Sequence, residues 1–64
     1  MVKMKVVREG NATILEAPEG MMTATDEQVI SHAAETLRVT MPIDEFCVER
    51  TSEGLLVHPK ATYG

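Results

Sequence analysis

Cys47 is the only cysteine in a chain of 64 residues, and no other feature limits its possible folds as strongly. A domain this short buries only about 60% of the surface its unfolded chain exposes. Small domains usually compensate with disulfides, a bound metal or a second subunit. One thiol makes no internal bridge, so the first remedy is excluded. A zinc-type site would need three or four ligands, and the soft or imidazole candidates are Cys47, His32 and His58, with no C-x-x-C or H-x-x-x-H pair among them. The apolar side chains are Val, Met, Leu, Ile and Ala, with Phe46, Tyr63 and no tryptophan. Aromatic residues supply the largest single burial contributions. The core must therefore be assembled from many small pieces, and a homodimer sharing that core is the expected remedy.

Periodicity divides the chain into five elements. Residues 2–6 read Val-Lys-Met-Lys-Val, which puts Val2, Met4 and Val6 on one strand face and Lys3 and Lys5 on the other. Glu9-Gly10-Asn11 supplies turn chemistry, and a second strand over 12–17 stops at Pro18-Glu19-Gly20. Thr25 and Gln28 form a capping box, Asp26 and Glu27 occupy the first turn, and Val29, Ile30, Ala33, Ala34 and Leu37 share one helical face. The spacing predicts a helix over 26–38. Pro42 closes that segment. Strands over 46–50 and 55–58 follow, joined by a Ser52-Glu53-Gly54 turn, and Pro59 ends the last. The expected fold is α+β in the order strand-strand-helix-strand-strand, one domain over 1–64 with 60–64 as a loose tail.

The net charge is −4, but its distribution says more than its sum. Residues 1–10 carry Lys3, Lys5 and Arg8 against Glu9, whereas residues 11–35 carry Glu16, Glu19, Asp26, Glu27 and Glu35 with no Lys or Arg. A broad positive field of the kind that drives phosphate binding is absent. Any DNA contact must come from the first strand, expected as a narrow basic edge at Lys3, Lys5 and Arg8. No stretch approaches the roughly 20 apolar residues of a membrane span, and Met1-Val2-Lys3 leads straight into alternation rather than a signal-peptide block. With a lone thiol, the chain reads as cytoplasmic.

The residues offer little for catalysis. Cys47 with His32 or His58 would be the only thiol-imidazole pairing, yet Cys47 sits between Phe46 and Val48 in an alternating strand, where free cysteine behaves as a small buried hydrophobe. The carboxylates fall at a helix start, in a turn or after a proline, and a paired acid and base needs a cleft. The glycines are scattered singly, without a phosphate-binding or dinucleotide pattern. Met21-Met22 reads first as core filling, with an adaptable contact patch as the alternative. The expected function is that of a non-catalytic binding module with no cofactor, metal or small-molecule substrate.

Arg8-Glu9-Gly10-Asn11 followed by Pro18 resembles the opening hairpin of MazE-type antitoxins and the wider AbrB/SpoVT family. Asp44-Glu45-Phe46-Cys47-Val48, the Gly54 turn and Leu55-Leu56-Val57-His58-Pro59 resemble that family's closing hairpin. The resemblance implies a homodimer of interlocked, swapped hairpins and a DNA-binding transcriptional regulator, with Lys3, Lys5, Arg8 and Asn11 as the DNA-contacting positions. The size, acidic middle and capped helix are also similar, in a general way, to small acidic phage proteins that inhibit host machinery such as RNA polymerase or nucleoid proteins. In that alternative, Glu16, Glu19, Asp26 and Glu27 dock on a basic host surface.

Overall fold

The structure, a computed structural model, describes residues 1–60. The loose tail expected over 60–64 lies outside the described residues except for Lys60, whose N–H donates to the Glu45 carbonyl at 2.9 Å. The α+β order is as expected: β1 (Val2–Arg8), β2 (Asn11–Ala17), α1 (Asp26–Leu37), β3 (Phe46–Thr51) and β4 (Gly54–Pro59), with 3₁₀ turns at Glu19–Met22 and Ile43–Glu45.

The strands form one mixed sheet in the order β2-β1-β4-β3. Each hairpin is antiparallel, and β1 joins β4 in parallel through Lys3↔Gly54, Met4↔Leu55, Lys5↔Leu56 and Val6↔Val57. β1 is thus an interior strand. Its lysines stand on a sheet face and not on the narrow edge that the sequence suggested. Both hairpins join in one sheet within a single chain.

The β1–β2 hairpin turns on two residues, Glu9 (φ 48°) and Gly10 (φ 82°). Positive φ at both central positions is the turn whose twist matches a two-residue hairpin. Asn11, expected in the turn, pairs with Arg8 as the first rung of the ladder. The second hairpin turns at Ser52-Glu53, where the Thr51 hydroxyl accepts from the Glu53 N–H and donates to the Gly54 carbonyl, each at 3.2 Å.

Helix α1 covers one face of the sheet. Val29, Ile30 and Ala33 are buried against Met4 and Val6 of β1, Ala17 of β2, Leu55 and Val57 of β4, and Met41. Burying each larger apolar side chain is worth about 1.5–3 kcal/mol, and here the load is spread over aliphatic and thioether groups. Met21 and Met22 are half-buried against this cluster, which is the core-filling role. The capping box is formed: the Thr25 hydroxyl accepts from the Gln28 N–H at 3.2 Å, and the side-chain Oε1 of Gln28 accepts from the Thr25 N–H at 3.1 Å.

The helix stops one residue short of its expected end. Arg38 adopts the left-handed conformation (φ 57°, ψ 46°). The Val39 N–H then reaches back to Ala34 O at 3.0 Å and the Arg38 N–H to Glu35 O at 3.3 Å. That pair of bonds is the Schellman arrangement, usually built on glycine.

Candidate functional site

Strand alternation sorts the sheet into two faces. The face under α1 takes Val2, Met4, Val6, Leu15, Ala17, Val48, Leu55 and Val57; no described element covers the other. Across the middle of the uncovered face runs a row in the order Ile14, Lys5, Leu56, Glu49, flanked by a row in the order Glu16, Lys3, Gly54, Thr51. Val7, Ala12, Cys47 and His58 share the face by parity. Lys3 and Lys5 are exposed. Ile14, 59% exposed, is the largest apolar group standing out of the sheet.

Among the described residues the ion pairs are Met1 amine with Glu19 at 3.8 Å, Arg50 with Asp26 at 2.9 Å, and His58 with Glu49 at 3.0 Å. Neither Lys3 nor Lys5 takes part, although Glu16 stands directly across from Lys3 in the ladder. Their ammonium groups remain open to an anion in solution. Arg8 and Asn11 are ladder partners at the hairpin tip, but on the α1 side, beside Leu37 and Val39. The four positions expected to meet DNA therefore divide into two pairs on opposite faces.

The expected acidic surface is divided as well. Glu16 belongs to the uncovered sheet face and Glu19 to the 3₁₀ turn near the amino terminus. Glu27 lines an open groove along α1 with Gln28, Ser31, His32 and Glu35. Asp26 already has a structural partner. The Arg50 guanidinium bonds Asp26 Oδ1 at 2.9 Å, Ala24 O at 2.6 Å and Met22 O at 3.2 Å. It thereby ties edge strand β3 to the segment that leads into α1. In the sequence Arg50 stands out only as part of an alternating strand. Its parity, shared with Phe46 and Val48, was the available signal, because it puts a cation on the helix side of the sheet.

Cys47 and His58 are cross-strand partners on the uncovered face, so the fold does bring the thiol and an imidazole together. An oxygen atom lies near each ring nitrogen. Nδ1 lies 3.0 Å from Pro59 O, and Nε2 lies 3.0 Å from Glu49 Oε2. The second approach is at ion-pair distance but off the hydrogen-bonding line, and it leaves Nε2 screened from solvent without a hydrogen-bond acceptor. The contacts of the ring nitrogens are thus with a carbonyl and a carboxylate oxygen. His32 is on α1, which covers the sheet face opposite to that of Cys47. No three His, Cys, Asp or Glu residues converge among the described residues as a metal site would require. No helix among them is long and apolar enough to cross a membrane.

No family model matches this sequence, and no curated protein or solved structure matches it either.

Proposed function

We propose that this chain is a non-catalytic regulatory module that binds DNA through the uncovered face of its sheet. The observation that carries the reading is the position of Lys3 and Lys5, side by side on an interior strand, exposed and, among the described residues, without a carboxylate at ion-pair distance. Ammonium groups held two residues apart on a strand project from one face about 7 Å from each other, close to the spacing of successive phosphates along a nucleic-acid strand. Arg8 and Asn11 extend the contact only where the nucleic acid also wraps the hairpin tip. The resemblance to the AbrB/SpoVT hairpins agrees with this choice of residues.

The test is a fluorescence-anisotropy titration with duplex DNA at several salt concentrations. Affinity should fall as salt rises, and Lys3→Ala with Lys5→Ala should flatten the log–log slope by about 1.8, since each neutralised phosphate contributes about 0.9. Absence of binding at low salt, or an unchanged slope in the double variant, would rule the reading out.

One observation favours a second reading, in which a basic protein surface is the partner. From 11 to 37 the chain has no Lys or Arg, and Glu27 and Glu35 flank an open groove along α1. Neutralising Glu27 and Glu35 should then weaken capture of a defined host protein, while Lys3→Ala should leave it intact.

A further inference from the structure

We propose that β2 is the interface for a second copy of this chain, the two β2 strands pairing antiparallel about a two-fold axis at Ile14. The argument begins with the hairpin. Its two-residue turn makes Arg8↔Asn11 a hydrogen-bonded pair, so Val6↔Thr13, Met4↔Leu15 and Val2↔Ala17 are hydrogen-bonded in turn. The backbone N–H and C=O groups of Ala12, Ile14 and Glu16 therefore point away from β1. No backbone bond outside the ladder engages them among the described residues.

Edge strands are normally kept from pairing by shortness, proline, charged side chains, a bulge or a covering element. Among the described residues β2 has none of these beyond one carboxylate. It runs seven residues in unbroken register from Asn11 to Ala17, with Glu16 its only charge and no proline or lysine. The opposite edge is protected: β3 bears Glu49 and Arg50, and Arg50 binds the segment leading into α1.

The occupant follows from self-complementarity. Ile14 is the middle residue of Asn11–Ala17, and a two-fold axis there pairs it with Ile14 of the second copy, exchanging both backbone hydrogen bonds. Ala12 then pairs with Glu16 of the second copy, and Glu16 with its Ala12. Each outward donor meets an outward acceptor. The most exposed apolar side chain within the sheet packs on its own equivalent, and a small residue faces each carboxylate, so no like charges meet across the ladder. Lys5 of the two copies would be separated by both Ile14 residues, about 14 Å at three strand spacings of roughly 4.8 Å. The two uncovered faces would merge into one eight-stranded surface with Lys3 and Lys5 from each copy. This dimer exchanges no hairpins, and it stands whether or not DNA is the partner.

Sedimentation of the full chain across concentrations tests it. The expected result is a species of twice the 7.0 kDa chain mass. Ala12→Pro removes an N–H used only at the edge, and Ile14→Lys sets two ammonium groups against each other at the axis. Each should weaken dimerisation at least tenfold with an unchanged circular dichroism spectrum. In a Cys47→Ser background, Ile14→Cys should oxidise to a covalent dimer, because directly opposed Cα atoms about 5.5 Å apart suit a disulfide. Thr13→Cys, displaced from the axis and on the other face, should not. A monomer at all concentrations up to about 1 mM, where the proposed contacts must show, overturns the proposal. So does a dimer that survives both Ala12→Pro and Ile14→Lys, or one cross-linked more readily through position 13. Should Ala12→Pro unfold, Ile14→Lys and the paired cysteine variants still decide it.

Discussion

Gly54 opens β4 with its backbone against the carbonyl oxygen of Lys3, so close that a Cβ at position 54 would collide with that oxygen. Its φ of 143° is also a conformation that side-chain-bearing residues rarely adopt. This is the point where the two hairpins become one sheet, because Lys3↔Gly54 is the first pair of the parallel β1–β4 ladder. Gly54→Ala should destabilise the domain by about 2–4 kcal/mol, through both strain and overpacking. Gly10 is the control: its φ is 82° but nothing lies within 4 Å of an added Cβ. Gly10→Ala should cost about 1 kcal/mol. Urea denaturation of the two variants checks the order, and similar costs at the two positions would mean that the close approach is unimportant.

Arg50 bonds two carbonyls and a carboxylate at the entrance to α1. Hydrogen bonds to a charged donor contribute more than neutral ones, whereas an exposed ion pair contributes little. Arg50→Ala should therefore cost about 1–3 kcal/mol, and Asp26→Asn at most about 1 kcal/mol. In a domain of this size each kcal/mol lowers Tm by about 4–8 °C. Thermal melts of both variants should show the larger drop for Arg50→Ala. Equal drops would mean that the ion pair, not the carbonyl contacts, holds the segment.

The local elements were legible because their signals are local. The alternation at Val2, Met4 and Val6, the Thr25–Gln28 box and the Val29, Ile30, Ala33 stripe each depend on neighbours within one or two turns. What the sequence could not display was which strands pair. Whether β1 is an edge or an interior strand depends on β4, some fifty residues away, and that pairing moved Lys3 and Lys5 from an edge to a face. The division of Arg8 and Asn11 from the lysines needed only the parity of β1 and β2. The Arg50 clamp needed the long-range packing of β3 against the start of α1. The left-handed Arg38 was hidden for a different reason: tertiary packing of Val39 and Ala34 sets the helix end where no glycine marks it.

The reciprocal bonds of Thr25 and Gln28 satisfy N–H groups that would otherwise be unpaired at the start of α1. Thr25→Ala removes one bond and frees Gln28, at a cost of about 1 kcal/mol. Gln28→Ala should cost less, since the hydroxyl–amide bond remains. Amide hydrogen exchange in the first turn of α1 should quicken in Thr25→Ala more than in Gln28→Ala, with the sheet amides quickening by no more than the loss of global stability requires.

Among the described residues two other than glycine are held at positive φ, Glu9 at 48° and Arg38 at 57°. The left-handed conformation costs a side-chain-bearing residue roughly 1–2 kcal/mol, and the structure keeps it at both sites because the hairpin turn and the helix cap require it. Relief is therefore available without altering a packed contact. Glu9→Asn would create the Asn-Gly pair favoured in this turn, and Arg38→Gly would place the usual residue in the Schellman position. Each should stabilise the domain by about 0.5–1 kcal/mol, the glycine gain being reduced by the greater freedom of the unfolded chain. The two sites are in different elements and share no partner, so their effects should add to within about 0.5 kcal/mol. Denaturation of both single variants and the double variant measures this directly. A loss of stability in Arg38→Gly would show that the arginine side chain makes a contribution at the cap large enough to outweigh its backbone strain.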